Sequence, residues 1–443
     1  MNKVVTRFAP SPTGYLHAGN YRSAVFCYLF AKKMGGSFIL RIEDTDRARS
    51  KKEYEENILD ALSWLGLKHD HFYRQSEQGP RHEELLRKLV AEDRAYISKE
   101  TPSKEGGRTE VVRFRNPGEK ITFTDSIRGA ITFDTQELGD FVIGRSLSEP
   151  LYHFGVVVDD MDEGVTHVIR GEDHIPNTPR QILIQRALGA PTPVYAHLPL
   201  VLGADRSKLS KRLNAKAMTE YRDLGFIPEA MLNYLALLGW HPEGEQELFS
   251  LSALIDAFNL SRIQKAAGIF DEVKLRWFNK EHLRSLSDEE YAQRLMRFLE
   301  SAGVSSPAYL SRATPILKER AETLLEARGL IESGECAFLE ERVPYPEAVL
   351  LQGAKASAEE VARNLKKVLE LLGGVSKTDW SAANIKNTIF SYATEVGKST
   401  VLWPLRVALT GKERSPDPFI ASELLGPEET LSRIRKALEE LPQ

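Results

Sequence analysis

The most constraining feature of the sequence is a strand, loop and helix pattern at its beginning. Residues 4–8 predict a short buried strand, a loop rich in Pro and Gly follows, and a helix is predicted from about His17 to the Gly35-Gly36 pair. The apolar run 38–42 and an amphipathic helix behind it continue the alternation. The order β-α-β-α is typical of a parallel sheet covered by helices.

This pattern is interrupted and then resumes. Residues 96–151 are rich in Gly, Ser, Thr and charge and contain alternating apolar pieces, which indicate an inserted, mostly antiparallel lobe. Strand, helix and strand patterns return after it, and the chain is predominantly helical beyond about residue 207. We predict an α/β fold: a Rossmann-type parallel sheet split by an α+β insertion, followed by an all-helical C-terminal region. The expected boundaries are 1–80 with 153–206 for the sheet domain, 81–152 for the insertion, 207–287 for a connecting domain, and 288–350 and 351–443 for two helical subdomains.

Composition excludes several classes of protein. A chain of 443 residues is too long for a single small binding module, and no stretch approaches the ~18 uninterrupted apolar residues of a membrane helix. The N-terminus lacks a secretory signal pattern, so we expect a cytoplasmic protein. Cys27 and Cys336 are too few for a disulfide framework and are predicted to be inert core residues. The net charge of −4 argues against indiscriminate coating of nucleic acid, although local basic patches could still bind RNA.

Two segments suggest phosphate chemistry. The loop around Ser11 leads into a helix N-terminus at His17 and Gly19, where free backbone N–H groups and the helix dipole favour an anion. A Pro- and Gly-rich turn that merely caps a helix would look the same. Lys208 and Lys211 lie in a basic loop directly after the last apolar strand, where an open α/β sheet binds its ligand. A solvated loop or a general RNA contact is the alternative.

Together these segments resemble a known family. RFAPSPTGYLHAGNYRSA, LRIEDTD, VTHVIRGEDH and KLSKR are similar to the motifs of bacterial glutamyl-tRNA synthetases, which are class I aminoacyl-tRNA synthetases, and GWHPEG, FDEVKLRWFN and PLRVALTG extend the likeness over essentially the whole chain. The resemblance implies activation of L-glutamate by ATP and transfer of the glutamyl group to the terminal ribose of tRNA(Glu), possibly also tRNA(Gln). Residues 207–287 would then contact the tRNA stem, 81–152 the acceptor end, and the C-terminal helices the anticodon arm.

The resemblance also assigns individual residues. Mg²⁺ is expected as the partner of ATP, held mainly by phosphates, whereas no zinc is expected because 96–115 carries no cysteine. A monomer is expected, without a membrane partner. Glutamate would be bound by Arg7, Ala9, Ser11, Glu43, Tyr152 and Arg170; ATP would be bound by His17, Gly19, Asp173, Lys208 and Lys211, of which His17, Gly19, Lys208 and Lys211 are the catalytic set.

One departure and two alternatives accompany this interpretation. Val156 stands where the family commonly has Asn, so an amide expected near the amino acid is replaced. A glutamyl transferase that modifies a tRNA base is one alternative, although such proteins lack the long helical C-terminal region. A non-catalytic tRNA-binding paralogue is the other, against which the intact Lys208, Lys211, His17 and Glu43 argue. His82 is predicted to be a surface residue.

Overall fold

A computed structural model describes residues 3–100, 110–207, 216–299 and 307–441, and these ranges form two compact units. The first unit is Met1–His282 and the second is Leu283–Gln443. Lys208 and Lys211, which are expected to bind ATP, lie outside the described residues.

The described residues of the first unit form three sheets. Their strands are β1 Val5–Phe8, β2 Ser37–Ile42, β3 His71–Arg74, β4 Ala95–Lys99, β5 Glu110–Phe114, β6 Lys120–Asp125, β7 Gly129–Asp134, β8 Phe141–Ser146, β9 Glu149–Pro150, β10 His167–Gly171, β11 Val194–Leu198, β12 Val201–Leu202 and β13 Gly268–Ile269. The main sheet has the order β3-β2-β1-β10-β11-β6-β7 and is parallel except for the β6–β7 hairpin. A four-stranded sheet, β4-β5-β8-β9, is antiparallel, and β12 pairs with β13.

Helices cover the main sheet as the apolar periodicity predicts. Every residue of β2 is buried, which is typical of a parallel strand with helices on both faces. The helices of this unit are α1 Ala18–Lys33, α2 Lys52–Trp64, α3 Gly79–Ala91, α4 Tyr152–Asp162, α5 Thr178–Leu188, α6 Met218–Asp223, α7 Pro228–Leu237, α8 Leu251–Ala257 and most of α9 Glu272–Ser285, which runs past His282.

Helix α1 lies at the centre of the unit. It packs against β1 on one side and against α7 and α8 on the other, so most of its side chains are buried. Phe26 of α1 contacts Phe258 with ring centroids 5.3 Å apart, and Phe258 contacts Trp240 at 5.5 Å. Residues 218–278 therefore share one apolar core with the sheet.

The second unit is helical throughout its described residues. Its helices are α10 Asp288–Leu299, α11 Pro307–Arg320, α12 Leu324–Glu332, α13 Glu347–Gln352, α14 Ala358–Gly373, α15 Ala382–Val396, α16 Lys398–Thr410 and α17 Pro418–Glu440. Helix α14 begins with a capping box in which Ser357 and Glu360 satisfy each other's backbone N–H groups. Helix α17 is kinked at Gly426, where φ is 76°.

The predicted fold class is confirmed, with one difference in the inserted segment. Strands β6 and β7, which belong to the segment predicted as the insertion, extend the main sheet because β6 pairs in parallel with β11 at Tyr195 and Asp125. The other strands of that segment form the separate antiparallel sheet. Cys27 and Cys336 are both buried and unpaired, as predicted.

Candidate active site

A cleft of about 430 Å³ opens at the carboxyl ends of the central parallel strands. This is the edge at which open α/β sheets bind their ligands. The described residues that the sequence assigned to glutamate or ATP all line it: Arg7, Ala9, Ser11, His17, Gly19, Glu43, Tyr152, Arg170 and Asp173. Their individual roles stay predictions.

Strand order explains why these residues meet. Arg7 lies in β1, Glu43 directly follows β2, and Arg170 lies in β10, which pairs with β1. The backbone N–H of Glu43 donates to the carbonyl of Pro10 at 3.0 Å, which ties the loops after β1 and β2 together. Neighbouring parallel strands therefore deliver their polar ends to a single edge.

The N-terminus of α1 forms one wall of the cleft. His17 is the N-cap, and its Nδ1 accepts from the Gly19 backbone N–H at 3.1 Å while Asn20 Oδ1 accepts from the His17 N–H at 3.1 Å. A Cβ on Gly19 would lie 3.0 Å from the His17 ring and 3.4 Å from Val201. Glycine at this position therefore keeps the helix N-terminus open toward the cleft, as an anionic phosphate requires.

A buried cluster of charges lies at a second end of the cleft. Arg41, with 0% of its surface exposed, contacts Asp160 at 2.8 Å, Glu163 at 2.6 Å and Glu43 at 3.3 Å. Arg7 Nε donates to Asp160 Oδ1 at 3.1 Å. Four carboxylates, those of Glu43, Asp159, Asp160 and Glu163, thus surround two guanidinium groups.

Charge pairing controls protonation in this acidic cluster. Burial alone would raise the pKa of Asp160, yet Arg7 and Arg41 hold that pKa below its usual range. Burial raises the pKa of Glu43 despite the opposing effect of Arg41. A cation placed beside Glu43 would stabilise its ionised form and reduce the excess of negative charge. This end of the cleft is therefore suited to an ammonium group.

Arg170 lies in different surroundings. Its Nε donates to His197 Nε2 at 3.2 Å and its Nη2 donates to Thr178 Oγ1 at 2.9 Å, while its guanidinium lies 5.5 Å from the centre of the Tyr195 ring. Within the described ranges no carboxylate lies at ion-pair distance from it, although only 7% of the residue is exposed. Burial lowers the pKa of Arg170. A buried guanidinium with neutral partners is a receptor for an anion.

Tyr152 lies between these two ends. Its hydroxyl is 3.1 Å from His174 Nδ1, and burial raises the pKa of Tyr152 to about 12. Burial and the charge of Arg170 lower the pKa of His174 to about 4, so this ring is neutral near pH 7 and its Nδ1 can accept a hydrogen bond from the tyrosine hydroxyl. Val156, on the same helix, is 2% exposed and belongs to the apolar core rather than to the cleft wall.

Sequence reasoning missed several residues around the site. His82 is not a surface residue: it is 1% exposed because Asp159, buried on α4, accepts a hydrogen bond from its ring at 2.7 Å, and Gln75 Nε2 donates to the same carboxylate at 2.7 Å. Arg22, also buried, donates to the carbonyls of Pro199 and Leu238. The sequence feature that could have indicated buried charges is a charged residue inside an otherwise apolar run, such as Arg41.

Two features are absent from the described residues, a metal site and a membrane span. No group of three or more His, Cys, Asp or Glu side chains in those ranges is arranged to hold a metal ion. Among the helices of residues 3–100, 110–207, 216–299 and 307–441, none has the length and hydropathy of a membrane span.

Comparison with known proteins gives the family. Residues 3–105 and 98–277 match the family described as tRNA synthetases class I (E and Q), catalytic domain, and residues 290–438 match an anticodon binding domain. The chain is 40% identical to a glutamate–tRNA ligase of Geobacter sulfurreducens over 100% of both chains, and 38% identical to one of Francisella tularensis subsp. novicida over 99% of both.

Solved structures agree with this match. A crystal structure of a glutamate tRNA ligase from Elizabethkingia meningosepticum in complex with its amino acid superposes with a TM-score of 0.83 at 31% identity, covering 100% of both chains. A glutamate-tRNA synthetase from Elizabethkingia anophelis gives 0.80 at 31% identity, covering 99% of this chain and 100% of that one. The chain therefore belongs to the glutamate–tRNA ligases, a family of class I aminoacyl-tRNA synthetases.

Proposed function

We propose that the protein activates L-glutamate with ATP and then transfers the glutamyl group to the 3′-terminal ribose of tRNA(Glu). The observation that carries the proposal is the charge distribution of the cleft. An acidic cluster around Glu43 lies on one side, and the buried Arg170, without a carboxylate partner in the described residues, lies on another. Glutamate carries an ammonium group and a side-chain carboxylate that complement these two features.

The acidic cluster orients the amino acid in this proposal. Glu43 accepts hydrogen bonds from the substrate ammonium, which offsets the negative charge of the four clustered carboxylates. Arg7 is held through Nε by Asp160, while its Nη1 and Nη2 donate to no group of the described residues. These nitrogens and those of Arg170 are available to bind a carboxylate, and a planar guanidinium discriminates a carboxylate from a neutral amide.

The α1 N-terminus binds ATP in this proposal. Backbone N–H groups near Gly19 and the ring of His17 face the phosphates, and Asp173 lines the same cleft. The α-carboxylate of glutamate attacks the α-phosphorus of ATP, the bond to the bridging oxygen breaks, and pyrophosphate leaves with its electron pair. The nucleophile arrives ionised, so no base is needed, and positioning and charge stabilisation supply the catalysis.

Lys208 and Lys211 are proposed to stabilise the departing pyrophosphate. Mg²⁺ would enter with ATP, coordinated mainly by phosphate oxygens, and would neutralise part of their charge. No zinc is proposed.

The remaining expectations concern tRNA and the state of the protein. Residues 290–438, which match an anticodon binding domain, are proposed to recognise the anticodon arm, and residues 81–152 and 207–287 to contact the acceptor end and the stem. This C-terminal match favours a ligase over a base-modifying transferase, and the nine described site residues that line the cleft favour it over a non-catalytic paralogue. A monomer in the cytoplasm is proposed, with sedimentation analysis as the test of the oligomeric state.

The decisive experiment measures charging. Radiolabelled glutamate, ATP and Mg²⁺ are supplied with transcripts of tRNA(Glu) and tRNA(Gln), each with its natural anticodon and with an altered one. We expect glutamylation of tRNA(Glu) that depends on ATP and on the anticodon, and the second transcript decides whether tRNA(Gln) is also a substrate. Absence of charging on both tRNAs would contradict the proposal.

A matched variant separates catalysis from binding. Lys211→Ala should reduce the rate of glutamate activation roughly 10²-fold, with a smaller change in ATP binding, because the lysine charge acts mainly on the transition state. Lys68→Ala, which changes an exposed lysine outside the cleft lining, is the control. Near-normal turnover of the Lys211 variant would refute the role given to that lysine.

A further inference from the structure

A buried histidine connects the cleft to the β6–β7 hairpin. His197, on β11 and 0% exposed, lies between Arg170 and Asp125. Its Nδ1 is 2.7 Å from Asp125 Oδ2, and its Nε2 is 3.2 Å from Arg170 Nε. Asp125 is 1% exposed and Arg170 7% exposed, so all three side chains are removed from water.

The chemistry of the two partners fixes the protons on His197. Arg170 Nε always carries a hydrogen, so His197 Nε2 must accept, and the ring proton must then lie on Nδ1 and be donated to Asp125. Burial lowers the pKa of His197, opposed by the hydrogen bond to Asp125, which agrees with a neutral ring. The hydrogen bonds therefore run in one direction, from Arg170 through His197 to Asp125.

Asp125 is itself held rigidly. Its Oδ1 accepts from the backbone N–H groups of Ile127 at 2.9 Å and Arg128 at 2.8 Å, and its Oδ2 accepts from the backbone N–H of His197 at 3.0 Å in addition to the ring. The carboxylate thus joins the turn of the β6–β7 hairpin to β11. Burial alone would raise the pKa of Asp125, yet these hydrogen bonds hold it below its usual range.

Arg170 is consequently fixed at two points. His197 binds Nε and Thr178 binds Nη2, which leaves Nη1 without a protein acceptor in the described residues. We infer that His197 and Asp125 are positioning residues that set the plane of the Arg170 guanidinium for reading the side-chain carboxylate of the amino acid. This inference rests on the proposed function, because it assigns the substrate that Arg170 reads.

Fixing the plane matters for selectivity. A guanidinium binds a carboxylate through two parallel N–H donors only when the two planes align, whereas an amide offers a single acceptor oxygen. A rotated Arg170 would lose the second hydrogen bond to glutamate but little of its binding to glutamine. We call the hydrogen-bonded series Arg170, His197 and Asp125 the relay. It therefore affects discrimination between glutamate and glutamine more than it affects binding of ATP.

Two substitutions of His197 each keep one of its two hydrogen bonds and remove the other. In His197→Asn the amide N–H can replace Nδ1 and keep the hydrogen bond to Asp125, but no atom reaches Arg170. In His197→Gln the amide oxygen can replace Nε2 and accept from Arg170. Glutamate-dependent ATP–pyrophosphate exchange in the presence of tRNA(Glu), with full-length protein, gives KM for glutamate and for ATP separately.

We expect the substitutions to change KM for glutamate and to leave KM for ATP nearly unchanged. His197→Asn should raise KM for glutamate roughly 10-fold or more and reduce preference for glutamate over glutamine roughly 10-fold, with KM for ATP changed less than about 2-fold. His197→Gln should restore most of the preference. Thr122→Ala is the control, because it removes an exposed hydrogen bond to Thr132 on the same hairpin and leaves the relay intact.

The outcomes are separable. Wild-type protein without glutamate-dependent exchange would overturn the proposed function, whereas active wild type with an unchanged KM and preference in His197→Asn would overturn the relay alone. If that variant does not fold, ¹⁵N NMR of histidine-labelled wild type provides the test. The resonance of His197, assigned with His197→Gln, should report a proton on Nδ1 and a bare Nε2, and a proton on Nε2 at neutral pH would overturn the inference.

Discussion

The two charged ends of the cleft solve the problem of buried charge in opposite ways. Around Arg41 the guanidinium and carboxylate groups neutralise one another through contacts of 2.6 to 3.3 Å. Around Arg170 the partners are a histidine, a threonine and a tyrosine ring, all neutral. We expect the first arrangement to stabilise the fold around Glu43, whereas in the proposed function the second leaves the charge of Arg170 available to a ligand. Equal burial can thus serve stability in one place and recognition in another.

The largest expected effect tests the stabilising role of the acidic cluster. Asp160→Ala removes the shared partner of Arg7 and Arg41 and leaves two buried cations without it, so we expect a loss of about 3–5 kcal/mol in the free energy of unfolding. Denaturant unfolding of the purified variant measures this value. A loss below about 1 kcal/mol would mean that the cluster does not stabilise the fold.

The next effect concerns recognition rather than stability. Arg170→Ala should reduce kcat/KM for glutamate by a factor that corresponds to about 2–4 kcal/mol of transition-state free energy. The reason is that the side-chain carboxylate would lie unpaired in a partly desolvated site. The free energy of unfolding should fall much less than in Asp160→Ala, since a buried charge without a carboxylate partner is itself costly. Unchanged use of glutamate would show that another residue reads the side chain.

Acid titration should also distinguish the two ends. His174, beside Arg170, has its pKa lowered from 6.5 to about 4, so the unfolded chain binds more protons than the folded chain between these values. The contribution of His174 to stability should therefore rise with pH across that window, by at most about 1.4 kcal/mol per pH unit. Asp160, whose pKa is lowered, contributes stability that is lost only at still lower pH. Unfolding of wild type and His174→Asn from pH 4 to 7 measures the difference, and identical slopes would refute it.

The smallest effect is expected two residues from Asp160 on the same helix. Asp162 pairs with Arg81 at 2.9 Å, but both side chains are more than a third exposed. Asp162→Ala should change the free energy of unfolding by no more than about 1 kcal/mol, because water screens an exposed ion pair. The same denaturant titration applies. A loss as large as that of Asp160→Ala would show that burial does not explain the contrast.

Local sequence patterns predicted more of the fold than of the interior of the site. The strand, loop and helix around His17 follow from short stretches of sequence, whereas Glu43 and Arg170 were placed at the cleft through the family resemblance. The contacts behind the cleft lining could not be anticipated. Arg7 and Asp160 are 153 residues apart, and Asp125 and His197 are 72 apart.

Strand pairing explains that failure. The parallel pairing of β6 with β11 has no signature in either segment, because each is an ordinary apolar strand on its own. The burial of His82 was missed because it also depends on a contact between residues far apart in the sequence. Its burial depends on Asp159, a distant partner that makes a polar side chain acceptable in the interior.

The β6–β7 hairpin has a consequence for how this fold can be altered. Its turn supplies Asp125 to the Arg170 side of the cleft and Arg128 to Glu172, whose carboxylate also accepts from the backbone N–H of Leu200. A segment that the sequence predicts to be an insertion thus contributes side-chain contacts to the domain that it interrupts. Under the proposed function, we expect that replacing this hairpin with that of a relative would also change the contacts that hold Arg170.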